Sequence, residues 1–390
     1  MTPLLLLAAL AAPPDLAGPW RAALALEGGS LPFTMVVETS DGEVRGRLCN
    51  ADSCDGFSAI VSRGDSVIFE MADYAAVIRA TWSGDSLVGS YSNVGNRGPR
   101  VIPFHASRGN WPVAPTPANL AGTWDATFVS GARTSPRVLV FQDAANGMQG
   151  TIVSSTGDYG VFSGHGTADS FTLAHFDGSF VYLVTGALDG DTLRGVFHAG
   201  LRTRTPFTAV RSTGKPHLQE STSLTVADTT APFAFSFPEA SGGLVSSTDP
   251  QFCNKVVLVD IFGTWCPTCH GAAPVLVQLW NDYHDRGLEI VGLAYEVSGD
   301  TAIDGALVRR YREKFAIPFP LLLAGVNLVE ETAATLPQLR GFTSYPTSVF
   351  IGRDGRVRLV YAGFHGPVTG AMHERQVREY RSIIERLLEE

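Results

Sequence analysis

Through the N-terminal half of the chain, apolar positions come in short runs such as FTMVVET, SVIFEMA, AVIRATW and RVLVFQD, parted by Gly, Asp, Asn and Ser. Runs this short, rich in Val, Ile, Phe, Thr and Trp and closed by turn residues, predict β-strands at the spacing of an antiparallel barrel or sandwich. No segment of this half carries the period of a helix. From about residue 231 the pattern changes to alternating strands and helices, as in an α/β fold. KVVLVDIF, residues 255–262, reads as a strand buried on both faces. A helix is expected from the Cys pair that follows to Arg286, with Leu276, Leu279, Trp280 and Tyr283 on one face and Gly287 as its stop. LEIVGLAY is the next strand, and Leu307, Tyr311 and Phe315 share a face of a second helix. TSVFIGRDGRVRLVYAG reads as a hairpin turning at Asp354-Gly355, and Val377, Tyr380, Ile384 and Leu387 line a terminal helix.

The β half repeats itself. DLAGPW at 15–20 returns as NLAGTW at 119–124, SGDSLVGSY at 83–91 as DGDTLRGVF at 189–197, and PFHASR at 103–108 as PFTAVR at 206–211. Gly46 and Gly56 return as Gly150 and Gly160, both at an offset of 104 residues. This tandem duplication sets the expected organisation: a signal peptide over 1–12, β copies over 13–112 and 113–213, a polar Thr/Ser-rich linker over 214–230, and an α/β domain over 231–390. Each copy is expected to hold about eight strands, alone or in one sheet system shared by the two.

Composition narrows the partners more than the fold. With 45% apolar and 17% charged residues a sizeable core is available, and a net charge of -9 without a basic stripe speaks against nucleic acid. The opening MTPLLLLAALAA places an apolar run, Leu4 to Ala12, beside small residues at an Ala-x-Ala-type site, Ala9 and Ala11. That is the form of a secretory signal, too short to span a bilayer, and it predicts a periplasmic or otherwise exported protein. Cys49 and Cys54, in GRLCNADSCDG, fit a hairpin clipped by a structural disulfide in an oxidising compartment. The aligned positions of the second copy are Val153 and Asp158, so the clip belongs to one copy only.

GTWCPTCHGAAP, residues 263–274, holds the candidate chemistry and reads in two ways. Cys266 and Cys269 form a Cys-x-x-Cys dithiol, and with His270 they also match the attachment site of a c-type haem. Haem needs a second axial ligand and a small helical fold, whereas after His270 only Met372 offers a thioether and the surroundings alternate strands with helices. The dithiol reading has a physical purpose: the free amides and dipole at a helix N-terminus stabilise a thiolate at Cys266, the expected exposed nucleophile. Cys269, one turn on, is in reach to close a disulfide, and Pro267 suits a first turn that needs no amide donor. His270 is then expected to be a surface bystander. One Cys pair has too few ligands for zinc, and Gly263 stands where a peroxiredoxin would need Thr, so no metal, haem or other cofactor is expected.

KVVLVDIFGTWCPTCHGAAP resembles the active site of the TlpA/ResA-like thiol-disulfide oxidoreductases, exported proteins of thioredoxin fold. Trp265 before the first Cys and Pro274 after the second match, and SYPTSVFI matches the loop in which a cis proline, here Pro346, faces the dithiol. The resemblance covers roughly residues 231–390 and none of the duplicated region. The fold expected is an N-terminal all-β tandem duplication, read from the repeat itself, followed by an α/β domain that the resemblance implies is thioredoxin-like. The resemblance also implies protein disulfides as substrates and allows a membrane electron donor. Cys266 would attack a partner disulfide and Cys269 resolve the mixed disulfide. Trp265, Pro267, Tyr345 and Pro346 would bind the partner chain. Asp260 stands where thioredoxin has a buried carboxylate and would take the proton from Cys269, unless it lies at a solvated strand end. Ala272 departs from the ResA-like pattern, which often has Glu there. Cys253 is expected to be a buried, inert thiol. The binding alternative, in which the β copies capture a ligand or envelope partner and the dithiol is secondary, stays open beside the reductase reading.

Overall fold

The computed structural model describes residues 15–390 apart from 41, 96, 97, 114 and 146; the expected signal peptide at 1–12 lies outside the described residues. The first β copy is one open sheet of nine antiparallel strands, a half-barrel from Gly18–Leu26 to Gly98–Arg108 whose first strand pairs with both the second and the last. Its edges are Ser53–Gly56 and Ala59–Arg63. The second copy follows the same path from Gly122–Ser130 to Thr203–Arg211, again in nine strands. Here Gly147–Ser154 pairs with both Arg133–Ala144 and Phe162–Gly166, and the barrel closes. The ninth strand, beyond the eight expected, is the short return of a hairpin: Ser53–Gly56 in one copy and Gly157–Asp158 in the other. In the first copy that hairpin carries the disulfide, with Cys49 directly opposite Cys54.

The repeated sequence words become a repeated brace. Trp20 Nε1 donates to the Leu16 carbonyl and Trp124 Nε1 to the Leu120 carbonyl, each at 2.9 Å. Arg108 lies over the Trp20 ring at 4.6 Å and Arg211 over Trp124 at 4.2 Å, and each also donates to the backbone just before its tryptophan. Both rings are fully buried, so each brace fixes the first strand against the last around an aromatic.

The half-barrel does not fill its own core. Ala174, Phe176, Val181 and Leu183 of the second copy complete the cluster built on Trp20, Phe33, Met35 and Phe104. Phe176 lies 4.8 Å from Phe33 and 4.9 Å from Tyr91, and its backbone exchanges two hydrogen bonds with Asn50, at 2.8 and 3.0 Å. The polar segment that follows is no free tether. His217 Nε2 donates to the Ala126 carbonyl at 2.9 Å, the Gln219 amide to Ser155 Oγ at 3.0 Å, and Ser221 Oγ to the Ser155 carbonyl at 2.8 Å.

The C-terminal domain is a five-stranded mixed sheet in the order Leu321–Val326, Leu288–Glu296, Val256–Phe262, Thr347–Ile351, Val357–Ala362. The first three strands are parallel and the last two antiparallel to their neighbours. This is a thioredoxin-like core. The central strand, Val256–Phe262, is buried throughout and sends alternate side chains to opposite faces. Leu258 and Phe262 meet Leu276 and Leu279 of the helix Pro267–Tyr283, Val308 and Tyr311 of Thr301–Phe315, and Tyr380 and Ile384 of Ala371–Glu389. Val257, Val259 and Ile261 meet Phe233, Phe252 and Leu336 on the other side. Full burial of each such aliphatic side chain contributes about 1.5–3 kcal/mol. Among the described residues no helix is long and apolar enough to cross a membrane.

Candidate active site

The dithiol sits where the central strand ends and its helix begins. The chain leaves the strand at Phe262, turns through Gly263, Thr264 and Trp265, and enters the helix with Cys266 as N-cap and Pro267 in the first turn. The amides of Cys269 and His270 both reach the Cys266 carbonyl, at 3.0 and 3.2 Å. Both cysteines are free thiols. The Tyr345–Pro346 bond is cis, and the Cys266 thiol donates to the Tyr345 carbonyl at 3.6 Å. Trp265 donates from Nε1 to the Tyr295 carbonyl at 2.8 Å, with its ring edge-on to Tyr345 at 5.5 Å. Trp265, Cys266, Tyr345 and Pro346 therefore come together from segments eighty residues apart in sequence.

Asp260 is 5% exposed, on the face of the strand that carries Leu258 and Phe262 toward the active-site helix. Its Oδ1 has no hydrogen-bond partner, and burial raises its carboxyl to about 7. Cys269, 1% exposed, is pushed well above the ordinary thiol value by burial first, then by Cys266 and by the charge of Asp260. A proton on Cys269 therefore has a nearby acceptor that titrates at neutral pH.

A second carboxylate went unread in the sequence. Glu296, which ends the strand Leu288–Glu296, accepts the Thr264 amide at 2.8 Å and the Thr264 hydroxyl at 2.7 Å. Burial raises it to about 7, and its two bonds to Thr264 oppose that rise. It fixes the turn that presents Cys266. The signal that could have found it is a Glu closing an apolar strand.

Three expectations need correction. His270 is not a surface residue: it is 8% exposed and lowered to about 4, by burial first and then by Lys314. Its Nε2 lies 2.7 Å from the Thr264 carbonyl, so that nitrogen carries the proton and Nδ1 accepts from the Tyr74 hydroxyl at 3.3 Å. Cys266 is not exposed but 3% exposed: its thiol lies against the Tyr345 carbonyl and its side chain joins the core cluster of Cys269 and Ala273. Cys253 is exposed rather than buried, since it follows the surface turn Pro250–Phe252 and the buried strand starts only at Val256. Among the described residues no group of three or more His, Cys, Asp or Glu is arranged to hold a metal ion.

Residues 226–372 match the Redoxin family, so this part of the chain is a redoxin domain. Its curated relatives include the thiol-disulfide oxidoreductase ResA of Halalkalibacterium halodurans, 25% identical over 131 residues, which cover 33% of this chain and 62% of that protein. ResA of Geobacillus thermodenitrificans is 25% identical over 167 residues, covering 39% of this chain and 84% of that one. Among solved structures, a thiol:disulfide interchange protein of the thioredoxin family from Chlorobium tepidum is 25% identical over 42% of this chain and 98% of its own, at a TM-score of 0.32. The chain thus spans somewhat under two thirds of the first of these ResA proteins, and the matched redoxin region begins only after the duplicated β region.

Proposed function

We propose that this is an exported thiol-disulfide oxidoreductase that reduces protein disulfides through Cys266 and Cys269. The observation that carries the reading is the dithiol at a helix N-terminus, between the buried Asp260 and the cis-proline loop. The Cys266 thiolate attacks one sulfur of a partner disulfide, and the other partner sulfur leaves as a thiolate. Asp260 accepts the proton of Cys269, whose sulfur then displaces the remaining partner sulfur from Cys266. Two electrons pass to the partner and the enzyme is left as the Cys266–Cys269 disulfide, to be reduced again by a dithiol donor. The direction is supported by the environment of Cys269. A strong oxidant stabilises its reduced form, whereas burial and Asp260 disfavour the thiolate here. Replacing Cys266 by Ser is expected to abolish reduction of a protein disulfide such as insulin; undiminished turnover would refute the assignment. Equilibration of the pair with thiol buffers is expected to give a potential near that of thioredoxin, about -270 mV, and a value near -120 mV would reverse the direction.

The binding alternative has one observation in its favour. A cleft of about 320 Å³ runs between the second barrel, the strap after it and the terminal helix, lined by Thr123, Ser154, Lys215, His217, His365 and Arg375.

A further inference from the structure

The duplicated region rests on Trp265 and His270, which flank Cys266. In the turn Asp177–Phe180 of the second copy, Ser179 Oγ donates to the Trp265 carbonyl at 2.8 Å. The turn is preformed. Asp177 accepts the amides of Ser179 at 2.8 Å and Phe180 at 2.6 Å, and it pairs with His175 at 3.0 Å out of solvent. The first copy holds it from behind: the Tyr91 hydroxyl donates to the Gly178 carbonyl at 2.9 Å and Arg100 to the Ser179 carbonyl. Gly178, at φ +94°, could carry no side chain without crowding Met71 and Tyr74. Tyr74 stacks on His270 with ring centres 4.7 Å apart. Next to it Asp73 pairs with Lys314 at 2.6 Å, and Arg310 donates to the Ala72 carbonyl at 3.4 Å. Asp55 and Asp177 add negative charge near the same part of the interface.

A second contact between the β region and the redoxin domain has a different character. Gly157 bridges Phe364 through the backbone, and Asp158 accepts the Gly366 amide at 2.5 Å. A Cβ at Gly157 would collide with the Phe364 carbonyl, and one at Gly363 with the Thr156 carbonyl. Main chain rests on main chain there, with no rotamer to yield. At the Cys266 end the contacts are made largely by side chains, which can part and meet again.

We propose that the Asp177–Phe180 turn, with Tyr74 and the Asp73–Lys314 pair, is a lid over the Cys266 face that swings open about the Gly157–Phe364 contact to admit a protein disulfide. The proposal rests on the reading of Cys266 as the nucleophile. Specific docking of a folded partner takes about 800 Å² of free surface on each side. In the closed form part of the face is already taken, because Ser179 holds the backbone of the residue before Cys266.

Thiol accessibility tests the lid without requiring that the dithiol reduce anything, so its failure is distinct from a failure of the proposed activity. The reduced full-length chain, with Cys253→Ser to remove the exposed thiol, is treated with N-ethylmaleimide, and modification of Cys266 is followed by peptide mass. Lys314→Glu sets a fourth carboxylate against Asp55, Asp73 and Asp177 and is expected to speed alkylation of Cys266 by about ten-fold or more. Adding Asp73→Lys restores a pair of opposite charges and should bring the rate back to within about three-fold of the parent. Insulin reduction should rise and fall with the alkylation rate. The lid is refuted if Cys266 in the parent reacts as fast as a solvent-exposed thiol, if Lys314→Glu leaves its rate unchanged, or if the charge swap fails to slow it. Should Lys314→Glu fail to fold, Tyr74→Phe with Ser179→Ala removes two of the closing hydrogen bonds and is held to the same ten-fold expectation.

Discussion

At Asp260 a carboxyl group stands in the central strand with one oxygen unpartnered, and the cost of that placement falls on its charged form. An aspartate in an unfolded chain ionises near 3.9, whereas this one ionises at about 7. The folded state therefore keeps its proton longer, and stability declines as pH rises from about 4 to about 7, with the whole loss present above that range. Asp260→Asn, which keeps the shape without the charge, should be more stable than the parent at pH 8 by up to ~4 kcal/mol, at 1.36 kcal/mol per pKa unit. The difference should vanish toward pH 4 in urea unfolding. The same substitution should slow disulfide reduction by roughly 10–100-fold, because the proton of Cys269 loses its acceptor. Local pattern suffices to nominate Cys266 and Cys269 at a helix start, whereas Asp260, inside its strand, and Pro346 are nominated through the resemblance to a family. His270 shows where such reading stops: its hydroxyl partner, Tyr74, lies 196 residues away, and nothing near His270 in sequence announces it.

Among the elements, the two copies differ most at the hairpin that one of them clips. Cys49 and Cys54 face each other across Glu43–Asn50 and Ser53–Gly56, on the free edge of the open sheet. The matching hairpin of the second copy has no disulfide, and there Gly147–Ser154 is held by neighbours on both sides. A covalent link thus stands in the copy whose sheet stays open at that edge. Closing so short a loop, of separation 5, restricts the unfolded chain by about 2 kcal/mol. The double variant Cys49→Ser/Cys54→Ser should lose about that much in denaturant melts, with no change at the dithiol. Strand type was legible from the runs of Val, Ile, Phe and Thr between turn residues, and strand number except for the short ninth strand of each copy. Closure was not, because whether one strand pairs with a neighbour or stops short depends on bonds made along a whole edge, not on any residue within it.

For the molecule as a whole, two glycines let the backbone of the β region approach that of the redoxin domain closely. Gly157 and Gly363 each allow backbone to approach where a Cβ would collide, and each also has positive φ. Gly242, at φ +111° with nothing within 4 Å, shares the backbone constraint without the crowding. Gly363→Ala should therefore cost about 3 kcal/mol in thermal unfolding and Gly242→Ala about 1, the difference measuring the close approach rather than the dihedral. A β half followed by an α/β half could be read from hydrophobic periods alone. The docking of one on the other could not, since it joins positions such as Ser179 with Trp265 and Asp158 with Gly366.

The shared core has a bearing on how the chain comes into being. Phe33, Met35 and Phe104 belong to a core that Ala174, Phe176, Val181 and Leu183 complete, and those residues are made later. A chain emerging N-terminus first therefore shows an unfinished apolar basin, with open strand edges on both sides, until the second copy has been synthesised. The first copy is thus a client for protection during its own birth, and the second serves as its chaperone before serving as its neighbour.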